Sequence, residues 1–176
     1  MKTEIRGARV VDPASGRDEK ASIFVEAGKV AAIGKAPASF KADEMIDASG
    51  LVACPGLVDL SARLREPGFE YKATLESEMR AAAAGGVTTL ACPPDTDPPL
   101  DEPGLVEMLK RRAASLDCAR VHPLGALTVG LKGTRLAEMA ELTDAGCVGF
   151  FQANAPLPEL ATLLQAMRYA ATFLVD

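Results

Sequence analysis

Histidine is almost missing from this chain: His122 is the one imidazole in 176 residues. Any chemistry that needs a cluster of histidines is excluded for this chain on its own. Long apolar runs are missing too. No stretch reaches the roughly 18 apolar residues of a membrane span. The start of the chain mixes Lys2, Glu4 and Arg6 with Ile5, unlike the basic end and apolar run of a secretory signal. Positive charge is in deficit, with 19 Lys and Arg against 24 Asp and Glu and a net charge of −5. That argues against nucleic acid or an anionic membrane as the main partner. Paired cysteines are absent: Cys54, Cys92, Cys118 and Cys147 form no CxxC. They read as small, buried, reduced thiols in a cytoplasmic protein, and Cys92 and Cys147 as structural rather than metal-binding.

What is present is a soluble globular composition, 48% hydrophobic and 24% charged. A chain of this length buries roughly 70% of its unfolded surface, so no metal or disulfide staple is required. Residues 1–54 read as a small antiparallel β module. Strands are predicted at 9–11, 22–26, 29–33, 45–47 and 51–53, with turns at Asp12-Pro13, Ala27-Gly28 and Gly34.

From Pro55 the rhythm changes to strand–helix alternation. A strand at 57–60 precedes a helix capped by Thr74, with Glu76 and Glu78 in its first turn and a stop at Gly85-Gly86. The alanines at 81–84 read as a close-packing helix face. A second strand at 87–91 leads to a helix capped by Asp101, with Pro103 in its first turn. A third strand is expected within 120–127. Next comes a helix with Leu136, Met139, Ala140 and Thr143 on one face, then a fourth strand at 147–151. Leu160, Leu163, Leu164 and Met167 mark a last helix by their i, i+3, i+4, i+7 spacing, and residues 173–175 look like the start of a fifth strand.

Such alternation with short connections implies a parallel sheet with right-handed crossovers. A (β/α)8 barrel uses roughly 31 residues per unit, so residues 55–176 hold about four units. The expected architecture is α/β: a β module at 1–54, then the first half of a (β/α)8 barrel at 55–176. A flavodoxin-like open sheet is the alternative.

The segment from Pro55 to Gly68, PGLVDLSARLREPG, resembles the first barrel strand of dihydroorotases, which are metal-dependent amidohydrolases. Phe69 to Lys72, Ala81 to Thr89, Cys92 to Pro98 and Gly125 to Phe150 extend the resemblance along most of the chain. It implies a β-sandwich module, a TIM-type barrel, and one or two zinc ions at the C-terminal mouth of the strands. In active members the first strand carries His-x-His as zinc ligands. The matching positions here are Ser61 and Arg63. A guanidinium has no lone pair to give and keeps its proton. Held about 4 Å from Zn²⁺ it would be repelled by roughly 8 kcal/mol at an effective dielectric near 20. At the fourth strand, where one branch of the family has a metal-binding aspartate pair, the chain reads Phe151-Gln152-Ala153-Asn154, so Gln152 and Ala153 replace carboxylates. Arg65 matches the arginine that meets the substrate carboxylate, and Asp95 stands where its helper asparagine is usual.

Ser61, Arg63, Gln152 and Ala153 are therefore expected to be degenerate metal-ligand positions, and Arg65 and Asp95 vestigial substrate-binding ones. No catalytic residue, no metal and no cofactor are expected. Other readings stand beside these. His122 reads as structural, Asp95 and Asp97 as turn residues between prolines, and Arg65 with Glu66 as either an ion pair or a retained anion pocket. The resemblance implies a non-catalytic dihydroorotase-like subunit that supports assembly or stability of aspartate carbamoyltransferase, with that enzyme's catalytic chain as partner, and a homo-oligomer. Two alternatives stay open. One is an active zinc-dependent amidohydrolase with a shifted metal site. The other is an inactive fragment whose half barrel leaves apolar faces uncovered.

Overall fold

The computed structural model describes residues 1–173, which divide into two compact units, Met1–Pro55 and Gly56 onward. The fifth strand expected at 173–175 lies largely outside the described residues.

The first unit is built on one long strand. β1 (Lys2–Asp12) pairs antiparallel with β2 (Arg17–Glu26), and β2 pairs antiparallel with β3 (Lys29–Ile33). Ala27 and Gly28 both take positive φ, 50° and 74°, in the tight turn of this second hairpin, as a primed two-residue turn requires. The other edge of β1 is taken by β4 (Glu44–Asp47) and β5 (Val52–Ala53), both parallel to it. The module is therefore mixed, not antiparallel throughout. The cause is the segment from Gly34 to Asp43, which carries the chain from one edge of the sheet to the other, so that β4 re-enters running with β1. Phe40, in that segment, packs edge-on against buried Phe24 with ring centroids 5.2 Å apart.

In the second unit, β6 (Leu57–Asp59), β7 (Val87–Cys92) and β8 (Arg120–Pro123) form a parallel sheet with β7 in the middle. A flavodoxin-like sheet would place its first strand between the second and third. The sequential order here is that of a barrel. The expected third strand divides in two, because Pro123 has no N–H to continue the ladder. Its second part, β9 (Gly125–Ala126), pairs in parallel with β10 (Phe150–Phe151). The fourth strand is thus shorter than expected, although Val148 N–H still donates to Pro123 O at 3.0 Å.

The helices follow from local chemistry. α1 (Leu75–Ala84) begins at Thr74, whose hydroxyl accepts from Ser77 N while the Ser77 hydroxyl accepts from Thr74 N, a reciprocal cap. It buries Leu75 and Met79, one turn apart. Of the alanine run, Ala82 packs partly against the core, and Ala81, Ala83 and Ala84 are exposed. They contribute helix propensity rather than close packing. α2 (Pro103–Leu116) buries Val106, Leu109 and Ala113. Its N-cap is Glu102, not Asp101. The Asp101 carboxylate instead accepts from Gly130 N at 2.6 Å.

α3 (Met139–Asp144) starts later than expected, because Leu136 is held in an antiparallel bridge with Thr128. α4 (Leu160–Ala170) lies where predicted but buries Thr162, Ala166 and Ala170. Its apolar stripe is largely exposed, with Leu160 at 80% and Met167 at 61%. Leu64, Leu90, Leu100 and Leu142 join the buried faces of α1 and α2 in one core. No helix among the described residues is long and apolar enough to cross a membrane.

Candidate functional site at the strand ends

The side chains of interest leave the C-terminal ends of β6, β7 and β10. Just past β6, Asp59 Oδ1 accepts from Ser61 N at 2.8 Å, an Asx turn that bends the chain out of the strand. Ala62 N then donates to Ala91 O at 2.9 Å, tying the loop to β7. Ser61 is exposed and Arg63 half-buried.

Arg63 is the centre of this corner. Its Nε donates to Asp95 Oδ2 at 2.7 Å, and Nη2 reaches Asn154 Oδ1 at 3.4 Å. The two side chains of the ion pair are each 28% exposed. Arg63, Asp95 and Asn154 come from three strand ends and are far apart in sequence. Asp95 is therefore more than the turn residue expected between prolines: its carboxylate is committed to Arg63. Asn154 joins the corner with no sequence motif of its own to mark it. The one local signal is its place just after Ala153, whose φ of 53° is left-handed. An alanine there costs about 1–2 kcal/mol, and the kink separates the path of Gln152 from that of Asn154.

Gln152 goes the other way. It is 5% exposed, accepts from Thr128 Oγ1 at 3.0 Å, and donates through Nε2 to Leu131 O at 3.0 Å. Thr128, fully buried, also accepts from Gly133 N at 2.9 Å. The amide thus belongs to a closed network that pins the turn at residues 128–133.

Arg65, half-buried with a left-handed φ of 65°, makes no ion pair among the described residues. Glu66 is not its partner. Glu66 is buried, accepts from Leu75 N at 2.8 Å at the start of α1, and pairs with Arg112 of α2. His122 sits half-buried on β8 in register with Ala91.

Burial pushes the Cys92 thiol up to about 11 and the Cys147 thiol up to about 12, so both stay protonated at neutral pH. Cys54 is exposed rather than buried, and all four cysteines are free. An open hollow of about 590 Å³ on the first unit is walled by Arg9, Asp18 and Lys20. It holds none of the predicted site residues, and the Arg9–Asp18 ion pair occupies its polar wall, so we assign it no chemistry.

The zinc implied by the resemblance does not fit these residues. Ser61 offers a neutral hydroxyl, Arg63 a cation already paired, and Gln152 an amide whose oxygen and nitrogen are both bonded. Ala153 has no donor. Among the described residues, no three His, Cys, Asp or Glu side chains lie together so as to hold a metal ion.

Comparison with known proteins places the chain. A family model described as dihydro-orotase-like matches residues 50–174. The chain is similar to a dihydroorotase-like protein of Pseudomonas aeruginosa, 51% identical over 98% of this chain and 41% of that protein. It is also similar to a dihydroorotase of Syntrophotalea carbinolica, 42% identical over 98% of this chain and 40% of that protein. The chain thus spans about two-fifths of the length of these curated relatives. Among solved structures, an L-hydantoinase (dihydropyrimidinase) from Arthrobacter aurescens matches with a TM-score of 0.77 at 26% identity, over 97% of this chain and 38% of that one. A dihydroorotase crystal structure matches with a TM-score of 0.66 at 15% identity, over 99% of this chain and 49% of that one, a likeness of fold. The sheet of the second unit is therefore part of a (β/α)8 barrel, and the chain belongs to the dihydroorotase-like family of amidohydrolases.

Proposed function

We propose that this chain is part of a non-catalytic dihydroorotase-like protein of pyrimidine synthesis, cytoplasmic and oligomeric, that supports assembly or stability of aspartate carbamoyltransferase. One observation carries the reading: Arg63 stands where the family resemblance places a zinc-binding histidine, and its cation is paired with Asp95. A barrel without its metal still offers surfaces to a partner, because fold and site are separable. The similarity to proteins named dihydroorotase-like, at 51% and 49% identity, supports it.

The test uses the full-length protein. The expected results are sub-stoichiometric zinc, no turnover of dihydroorotate, and co-purification with the transferase catalytic chain. Stoichiometric zinc with turnover, or transferase assembly unchanged when this protein is removed, overturns the proposal.

A second reading is an active amidohydrolase with a shifted metal site, its ligands outside residues 1–176. The relatives named simply dihydroorotase, at 42% identity, favour it. Metal analysis with a screen of cyclic amides separates the two.

A further inference from the structure

We propose that the Arg63 guanidinium is a built-in cation that takes over the bracing role of a metal, tying together the loops that follow β6, β7 and β10. The proposal rests on the metal-free reading of this corner and deepens it.

A metal ion at strand ends does two things: it draws ligands from separate strands to one point, and it neutralises them. Arg63 does both with covalently attached charge. Its Nε holds Asp95 beyond β7 and Nη2 reaches Asn154 beyond β10, while Arg63 itself is anchored by Ala62 N to Ala91 O. The guanidinium suits the task because it never loses its proton and its donors diverge in one plane. The acid at position 95 belongs with this cation. An asparagine there would leave a half-buried guanidinium facing two neutral amides. Removing one partner leaves the other charge unpaired and so costs more than removing both, by a margin that water narrows at a pair 28% exposed.

The test is a charge cycle in the full-length protein, read by thermal unfolding. Asp95→Asn changes shape hardly at all, and is expected to lower Tm by about 1 °C in a barrel of the relatives' length. Arg63→Gln with Asp95→Asn, which removes both charges, is expected to regain at least half of that loss. Neither zinc nor a chelator should shift the wild-type Tm. Hydrogen exchange at the amides of residues 60–66 gives a second readout that does not depend on global melting: faster in Asp95→Asn, restored in the double variant.

Three results would overturn the brace: an unchanged Tm and unchanged exchange in Asp95→Asn, a double variant no better than the single, or a chelator-induced fall in wild-type Tm. These outcomes are separable from the proposed function. A failed cycle in a zinc-free, inactive protein removes the brace alone, whereas stoichiometric zinc with turnover removes the functional reading.

Discussion

Two corners of the barrel unit meet at the end of β10, one through Gln152 and the other through Asn154, and they solve the same problem by opposite means. Gln152 enters a neutral network with Thr128 and the turn at 128–133, dry and with every buried side-chain polar atom bonded. Arg63, Asp95 and Asn154 form a charged corner open to water on one side. Both occupy positions that the resemblance assigns to metal chemistry or its substrate. The contrast teaches where polar groups matter most for stability. In a dry network a lost partner strands a buried group, at about 1–3 kcal/mol each. At a part-exposed ion pair water replaces much of what is lost.

That contrast can be broken, beginning with the largest effect. Gln152→Ala removes two hydrogen bonds and opens a gap in a site 5% exposed. An expected loss of about 3–4 kcal/mol, measured by urea unfolding, would place the dry corner well above the charged one. A loss below that of Asp95→Asn would reverse the order.

Gly133→Ala attacks the same network through the backbone. Gly133 has a φ of 75°, and an added Cβ would come within 2.6 Å of Pro156 O. A loss of about 2 kcal/mol is expected. A variant as stable as the parent would show that the turn yields, and that the network is softer than its bonding suggests.

The cap of α1 gives a middle value. Thr74→Ala deletes the hydroxyl that accepts from Ser77 N, for about 1 kcal/mol, and chemical denaturation measures it. The smallest effect belongs to Arg80→Ala. Its pair with Glu76 is a one-turn surface contact, 69% and 52% exposed, worth about 0.3–0.5 kcal/mol and fading with salt. A larger, salt-resistant loss would mean that exposure is a poor guide to the charged corner as well.

The buried thiols add a pH arm. Their folded pKa values, about 11 and about 12, exceed the unfolded value of 9.0. The native state therefore holds its protons longer, and stability present below pH 9 is lost as pH rises from there toward 11–12. Replacing Cys147 by Ala should flatten the alkaline limb of a stability–pH curve. In the folded protein at neutral pH, Cys54 should react with a thiol reagent far faster than Cys92 or Cys147.

How much of this was legible beforehand depended on the range of each interaction. Thr74 and Ser77 are three residues apart, so the helix start was readable, as were the glycine stop at 85 and the hairpin at 27–28. Asp101 looked like a cap by the same local rule, but a turn 29 residues on supplied a better donor. The Leu160 stripe followed the helical period correctly. Periodicity, however, says that one face is apolar, not that a neighbour covers it. At the site, the side-chain chemistry of Ser61 and Arg63 was visible from letters alone, because a guanidinium cannot be a ligand in any fold. What Arg63 does instead was not visible: its partners lie 32 and 91 residues away, beyond any local pattern.

The first unit carries a consequence for synthesis. β1 is made first, yet one of its edges waits for β4 and β5, the latter ending at Ala53. At about 5–20 residues per second, roughly 40 further residues take seconds to emerge after β1 is complete. During that interval its N–H and C=O groups along one side are satisfied by water alone. A chain stalled with β4 and β5 still inside the ribosomal exit tunnel should therefore present a sticky ribbon to passing strands, while one stalled after both have emerged should not.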